Sequence, residues 1–557
     1  MIHLKSGSRR VLVVLVVCIV FILPLMTLAI RSFQSNAGFS YENYALLLSQ
    51  SRTHQAIVNT LLVALISSLI ATAGGVLVAV LVAYTNIPGK RWIELCVLSP
   101  MVVPSYVIAL AYTTLFANRG LINQALVHWG LQRINVYSFQ SIILVIALCN
   151  IPIVYMQCID ALRKVPLEAE WASLSSGHGR LKTLVSINLA QIWPTIQGAL
   201  LLSFLAALDN FSVPALLGIT SNIPMLSTYI YEKAIGFGPS AFQQAAALAM
   251  ILSSLVMVVL FLQFLVSRKK FYTKSVLAVS EVRMKFSKRG KWMMLFVLVP
   301  VFFGIYLLPI LTMVMASFSR TFGMVASLSE FSLKNYEFVL TSITTRSAFF
   351  NSLWFALISV AVCLVFASMF AYWRVRRPQD KELGVVEKFI AVPYALPGIV
   401  LALAMIFFWS IVPGVYGSTL ILLIAYVTRY MILQIKGSTS AFRGLHPELE
   451  EAGISAGRNR FSQWIRIIIP LTLKPIMASS AIIFISVFTE VTLSSLLAAA
   501  NSKTVGLSIF SLQQAGNYNQ SYAFSALIIL FILFIYSVFL IIRKISVHRR
   551  KQHDINP

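Results

Sequence analysis

The chain has 557 residues, of which 58% are hydrophobic and only 11% are charged. This composition excludes an ordinary soluble protein and is typical of an all-α polytopic membrane protein. The formal net charge is +26, a balance that often indicates nucleic-acid binding. Here the basic residues cluster at the ends of apolar segments, as they do in cytoplasmic membrane loops, so we expect a lipid bilayer and no nucleic acid as the partner.

The first half of the chain contains six apolar segments, here called spans. The first, preceded by Lys5, Arg9 and Arg10, can also be interpreted as a signal peptide. It is longer than the usual hydrophobic region of such a peptide and lacks a clear cleavage site, so we predict a span that starts in the cytoplasm. The six spans lie at about 11–30, 57–84, 92–116, 139–160, 190–218 and 241–266.

A basic segment near the middle, 268–291, has Glu281 as its single acidic residue. We predict a cytoplasmic linker that lies near anionic lipid rather than a specific binding site. The predicted organisation is therefore a first half at 1–267, the linker at 268–291 and a second half at 292–557.

The second half repeats the plan of the first and ends in another basic tail, so both termini are predicted to be cytoplasmic. Its six spans lie at about 292–315, 347–373, 386–411, 418–436, 470–498 and 521–543. Short motifs recur in the same order in both halves, which predicts about twelve transmembrane helices arranged as two parallel repeats. These motifs are Asn59-Thr60-Leu61 with Asn351-Ser352-Leu353, Ala83-Tyr84 with Ala371-Tyr372, Pro100-x3-Pro104 with Pro393-x3-Pro397, and Asp209 with Glu490.

Two kinds of residue inside the spans are candidates for a pathway or gate. The proline pairs, Pro100 with Pro104 and Pro393 with Pro397, predict kinked helices that either line a pathway or simply pack. Asp209 and Glu490 lie within long apolar stretches. Charged groups at such depth usually face a cavity or a partner, although each can instead pair with a helix end or lie near the outer interface.

Two polar, helix-forming loops interrupt the apolar pattern: the first loop at 165–189 and the second loop at 445–470. A charge near the bilayer centre costs roughly 3 kcal/mol or more, so neither loop can cross the membrane. We expect each to contain a short helix that ends at a glycine, Gly177 or Gly457, because glycine permits a sharp turn. Pro470 suits the first turn of the helix that follows. An ordinary charged loop is the alternative.

These loops resemble the EAA loop of ABC-importer permeases. In the second loop Glu451, Ala452, Gly453 and Gly457 match the signature, followed by Ile469-Pro470. The first loop is less regular: Gly177 matches, Trp171 occupies the glutamate position, and Glu170 matches only if the register shifts by one residue. The resemblance implies that Glu170, Gly177, Glu451, Ala452, Gly457 and Pro470 couple the chain to a separate ATPase.

Within this family the chain is most similar to the fused ferric-iron importer permeases, through SPMVVPSYVIALAYTTLFANRGLIN (99–123), LDNFSVPALLG (208–218) and VPYALPGIVLALAM (392–405). The resemblance implies a permease in the bacterial inner membrane that forms the translocation pathway. It further implies two ATPase subunits and an extracytoplasmic solute-binding protein as partners.

The sequence itself carries no phosphate-binding GxxxxGK[ST] motif, catalytic constellation or metal-ligand spacing, so we predict a transport component without catalytic residues, metal site or cofactor. Thiamine, phosphonate and polyamine permeases share the same loop, and the substrate stays open among these and iron. An ion-coupled secondary transporter that uses Asp209 and Glu490 is a further alternative.

Overall fold

The computed structural model describes residues 14–35, 38–236, 238, 240–268, 283–320 and 331–553, with the backbone alone at 267, 268, 460 and 538–553. The basic residues ahead of the first span and most of the predicted linker, 269–282, lie outside this part of the chain. The architecture is all-α, as the composition predicts. A two-residue pair, β1 (Gln34–Ser35) and β2 (Gly38–Phe39), is antiparallel with Gln34 opposite Phe39.

The helices of the first half follow the predicted spans, with shorter helices in the loops. In chain order they are α1 (Leu23–Ser32), α2 (Glu42–Ser49), α3 (Ser51–Tyr84), α4 (Lys90–Leu98), α5 (Ser105–Leu115), α6 (Leu121–His128), α7 (Phe139–Leu162), α8 (Leu167–Ser175), α9 (Arg180–Thr183), α10 (Trp193–Asp209), α11 (Leu226–Ile235) and α12 (Ala241–Arg268).

The helices after the linker repeat this series. They are α13 (Lys288–Phe302), α14 (Leu308–Ser317), α15 (Lys334–Thr341), α16 (Ile343–Arg376), α17 (Lys381–Ala395), α18 (Gly398–Trp409), α19 (Thr419–Arg443), α20 (Glu448–Ser455), α21 (Arg460–Gln463), α22 (Ile469–Phe488), α23 (Ser494–Leu497), α24 (Val505–Gln514) and α25 (Tyr518–His553). The shorter segments are π-helices at Cys18–Ile22, Leu184–Leu189, Pro214–Gly218, Phe303–Leu307 and Trp464–Ile468, and a 3₁₀-helix at Ser99–Met101.

Nine helices in the described part of the chain are long and apolar enough to cross a membrane. Three helix pairs, each bent by more than 40° at a short break, raise the number to as many as twelve. The predicted twelve spans correspond to the nine helices and three pairs together. The bent pairs are Lys90–Met101 with Ser105–Leu115, Arg180–Leu189 with Trp193–Asp209, and Lys381–Ala395 with Gly398–Trp409.

Two of these breaks are at the predicted proline pairs. The chain turns by 109° between α4 and α5 and by 110° between α17 and α18. Pro104 and Pro397, the residues just before α5 and α18, both have extended backbone angles. A proline cannot donate a backbone hydrogen bond to the preceding turn, so both helices restart immediately after it. The turns are much sharper than the kinks that the sequence predicts.

The chain divides into two compact units, and each unit draws on both halves of the sequence. Unit 1 comprises 1–65, 204–265 and 343–508; unit 2 comprises 66–203, 266–342 and 509–557. Within unit 1, for example, Val17 and Phe21 of the first span are buried against Phe370, Val386 and Ile390 of the second half. The predicted boundaries at 267 and 292 concern the repeat itself and stay a prediction.

The recurring asparagine motif has the same local role in both halves. The Asn59 side chain donates to the Pro224 carbonyl at 3.0 Å, and the Asn351 side chain donates to the Asn501 carbonyl at 3.0 Å. The hydroxyls that follow, of Thr60 and Ser352, accept from the backbone amides that open α11 and α24. Matching contacts of this kind are expected if the two halves are repeats of one another.

Candidate functional site

The first loop contains a short helix with a defined stop. Helix α8 begins after Pro166 and ends before Gly177, whose φ of +81° lies in the left-handed region. The Gly177 amide donates to the Leu174 carbonyl and the His178 amide to the Ser173 carbonyl, so the last carbonyls of the helix are satisfied. The expected glycine turn is therefore present.

The second loop repeats this geometry. Helix α20 is followed by Gly457 with a φ of +71°, and the Arg458 amide returns to the Gly453 carbonyl. Gly453 stands where the signature has its second alanine. A β-carbon there would lie 2.9 Å from the end of the Ile467 side chain, so the glycine allows the helix to pack closely.

A buried ion pair in unit 2 fixes the first loop. The Glu170 carboxylate binds the Arg283 guanidinium and accepts from the Asn188 amide, and the side chains of Arg283 and Glu170 are only 3% and 10% exposed. The Arg283 guanidinium also stacks on the Tyr84 ring, 4.4 Å from its centre. The backbone amides of Arg283 and Met284 both donate to the Tyr84 carbonyl. The C-terminal end of the predicted linker is therefore part of this loop's support.

A second acid–arginine pair, in unit 1, holds the second loop. The Glu450 carboxylate binds the guanidinium of Arg376, the last residue of α16, and accepts from the Tyr372 hydroxyl at 2.8 Å. The Tyr372 ring packs against Phe442 and Trp464. Since Tyr84 and Tyr372 are one of the recurring sequence landmarks, the two supports are built alike.

These pairs determine which residues of the two loops correspond. Glu170 precedes Gly177 by seven residues, and Glu450 precedes Gly457 by seven. Glu170 therefore corresponds to Glu450, without the shift of one residue that the sequence match to Glu451 requires. The residue of the first loop that corresponds to Glu451 is Trp171, and both of these side chains are exposed.

The other predicted loop residues take two kinds of position. Ala452 is exposed beside Glu451 on α20, and Pro470 is the exposed second residue of α22, where it needs no hydrogen-bond acceptor. A β-carbon added at Gly177 or Gly457 would meet no heavy atom within 4 Å, so the backbone angles, not crowding, call for glycine. Of the six residues to which the resemblance assigns a coupling role, Glu170 alone is buried.

Asp209 anchors the broken helix of unit 1. One carboxylate oxygen accepts from the Gly398 amide at 2.8 Å, which is the first amide of α18, and the other binds the Arg429 guanidinium at 2.7 Å. Arg429 also donates to the Leu396 carbonyl on the other side of the turn. A first-half carboxylate thus holds a second-half helix at its proline break.

Glu490 has a different role from Asp209. Its buried carboxylate accepts from the amides of Leu493 and Ser494, at 2.6 and 3.0 Å, and so caps α23. In the first half the Asn210 side chain accepts from the Val213 amide three residues on, in the same way. The structural counterpart of Glu490 is therefore Asn210 rather than Asp209.

The remaining proline candidates flank the breaks. Pro100 lies in the 3₁₀-helix Ser99–Met101, and Pro393 lies inside α17. In the described part of the chain, no group of three or more His, Cys, Asp or Glu side chains is placed to hold a metal ion.

Sequence reasoning missed Glu450 and the three arginines at 283, 376 and 429. Arg429 carried a usable signal, because a lone arginine inside a predicted span needs a partner. Arg376 and Arg283 stood among other basic residues at span ends, where nothing local separates a buried arginine from a solvated one.

Comparison with known proteins gives matches along most of the chain. Residues 71–272 and 384–552 match the family model described as "Binding-protein-dependent transport system inner membrane component". The probable ABC transporter permease protein y4fN of Sinorhizobium fredii is 24% identical over 95% of this chain and 94% of its own length. The ferric transport system permease protein FbpB of Actinobacillus pleuropneumoniae is 23% identical over 93% of this chain and 75% of its own. The sulfate transport system permease protein CysT of Salmonella typhimurium is 26% identical over 40% of this chain and 80% of its own.

Proposed function

Because the chain belongs to the family of binding-protein-dependent transport system inner membrane components, we propose that it forms the translocation pathway of a ferric-iron importer. Two ATPase subunits would dock on its two polar loops. The chain itself is a multi-pass ABC-importer permease and a transport component rather than an enzyme. Its family implies a separate ATPase and a solute-binding protein as partners.

The exposed faces of α8 and α20 support the docking proposal. Trp171 on α8 and Glu451 on α20 occupy corresponding positions, and both are exposed. The pairs tie each loop helix to the end of a long span helix, through Tyr84 on α3 and through Tyr372 and Arg376 on α16. A loop helix fixed at its base transmits a displacement of its exposed face to the spans, which is what a coupling element requires.

The break at Pro397 supports a gate in unit 1. The Asp209 carboxylate holds both the first amide of α18 and Arg429, so it fixes the direction in which α18 leaves the turn. A movement of α10, which ends at Asp209, would be passed directly to α18. We assign Asp209, Pro397 and Arg429 to this gate, while Glu490 serves it as a helix cap.

The contacts of Asp209 and Glu490 argue against the alternative of an ion-coupled secondary transporter. A coupling carboxylate must exchange its proton or sodium ion during the cycle. Asp209 is engaged by a guanidinium, and Glu490 by two backbone amides. Both carboxylates are therefore held by fixed contacts within the fold, which suits a structural role.

Full-length similarity supports iron as the cargo over the other solutes. The ferric relative aligns with 93% of the chain, whereas the sulfate relative aligns with 40%. The chain therefore shares the fused two-half organisation with the ferric relative along most of that relative's length.

Basic residues at the ends of the spans support cytoplasmic termini.

The proposal is tested by reconstitution into proteoliposomes with the ATPase and solute-binding protein of the same transport system. We expect ATP-dependent uptake of ferric iron that requires all three components, with sulfate, thiamine, phosphonate and polyamine as comparison solutes. Uptake by the chain alone, driven by an ion gradient, would contradict the permease role. ATP-dependent uptake of another solute in place of iron would overturn the substrate and leave the permease role intact.

A further inference from the structure

A groove in unit 1 extends from the second loop along α16. It has a volume of about 890 Å³ and lies between α16 and the helices that follow the second loop. One end is lined by Arg376, Arg377 and Glu450, and the far end is apolar. The apolar wall is formed by Leu364, Val365, Met369, Ile469, Leu473 and Ile476.

The length of this groove matches one leaflet of a bilayer. From Leu364 to Arg376 the groove follows twelve residues of α16, which is about 18 Å at 1.5 Å per residue. Half of the hydrocarbon core of a typical bilayer is about 15 Å thick. The apolar part of the groove thus has the depth of one acyl layer, and its charged end lies where a lipid headgroup would be.

The charged end of the groove contains an arginine that is not paired with a carboxylate among the described residues. Arg376 is paired with Glu450, but Arg377 is exposed and has no carboxylate within 4 Å among the described residues. Trp373 and Trp464 flank this end, and tryptophan is enriched at the level of lipid headgroups. Arginine next to tryptophan above an apolar slot is complementary to an anionic amphiphile.

The corresponding place in the first half is filled by protein. There a cavity of only about 90 Å³ is lined by Tyr84, Glu170 and Leu174, the counterparts of Tyr372, Glu450 and Ile454. Arg283 and Met284 from the end of the linker occupy that position. Among the described residues, the open groove therefore lies in the second half, and the corresponding place in the first half is closed.

We propose that this groove binds one anionic phospholipid, with its phosphate at Arg377 and an acyl chain along the apolar wall. The basic N-terminal segment of the chain is the less suitable occupant, because Lys5, Arg9 and Arg10 would be repelled by Arg376 and Arg377. Since Glu450 and Ile454 of α20 line the groove, the bound headgroup lies against the second loop. The lipid would brace that loop as the linker residues brace the first.

The test is native mass spectrometry of the purified chain titrated with phosphatidylglycerol or phosphatidylcholine. We expect tighter retention of phosphatidylglycerol, weakened about fivefold by Arg377→Gln, since one arginine near a lipid surface contributes about 1 kcal/mol. Met369→Trp, which fills the slot, should reduce retention as well. Arg443→Gln is the matched control, because Arg443 is exposed near the second loop but does not line the groove.

A photo-crosslinking amino acid at Val365 gives a second readout that does not depend on how the variants fold. We expect a phospholipid adduct in native membranes. Equal retention of both lipids by wild type and Arg377→Gln would overturn the proposal, as would an adduct to residues 1–13 or to the ATPase. Because lipid retention needs neither ATP nor cargo, this test is independent of the proposed iron transport.

Discussion

The ion pair between Glu170 and Arg283 offers the sharpest test of how the first loop is held. Arg283→Ala would leave the Glu170 carboxylate buried without its cation. Breaking one side of a buried pair typically costs about 3–5 kcal/mol. If that energy fixes α8 to the end of α3, its loss lowers the ratio of docked to undocked α8 by about a hundredfold or more.

Two measurements follow from this variant. Hydrogen exchange at the amides of Leu167–Ser175 should become faster, because the helix loses its anchor. ATP-dependent uptake should fall while the chain still inserts in the membrane. Lys285→Ala is the matched control, since Lys285 is an exposed base only two residues away. The double variant Glu170→Gln with Arg283→Met removes both charges and should recover much of the protection. Unchanged exchange and uptake in Arg283→Ala would refute the assignment of the linker arginine to the loop.

Three further variants test the other parts of the site. Glu451→Lys should insert normally yet lose co-purification with the ATPase, because its side chain is exposed on α20; full co-purification would count against docking there. Gly457→Val should destabilise the turn by about 1–2 kcal/mol, since a residue with a β-carbon is strained at a φ of +71°. It should also reduce coupled ATP hydrolysis. Gly179→Ala, at an ordinary φ of −70°, is the control that should behave as wild type. Arg429→Met should lower the melting temperature because it removes the cation that Asp209 binds. Asp209→Asn in the same chain should restore part of the loss. An unchanged melting temperature in the single variant would argue against the anchor at α18.

The spans were predictable because their signal is local. A bilayer requires long apolar segments with basic residues at their cytoplasmic ends, and every predicted span has a corresponding helix or bent helix pair. The proline pairs likewise predicted a disturbance in the right place. The size of these turns was not predictable from the prolines. At Pro397 a contact from outside the local sequence is involved, because Asp209, almost two hundred residues away, holds the next amide.

The register of the loops shows the limit of motif matching. The EAA pattern selects Glu451, which has the expected spacing to Gly457. The ion pair and hydrogen bond select Glu450 instead, whose partners Tyr372 and Arg376 come from an earlier helix and cannot be recognised in a local pattern. The same reason explains why Asn210, and not Asp209, corresponds to Glu490: both cap a short helix, and capping is recognised by geometry rather than by charge.

Which segments make up each of the two compact units could not be predicted from the sequence either. The repeat suggests that each half folds by itself, but the first span packs with the second half in unit 1. Apolar faces on different spans are chemically alike, so hydropathy predicts that a span is buried and not against which neighbour. Long-range packing decides that choice.

We propose that the two loops bind the ATPase subunits through their exposed helical faces. Photo-crosslinking from positions 171 and 451 in membranes that contain the complete transporter tests it most directly. We expect an ATPase adduct from both positions and none from position 170, which is buried. Adducts from neither exposed position, or labelling of both by an impermeant reagent from the outer side of the membrane, would contradict the claim.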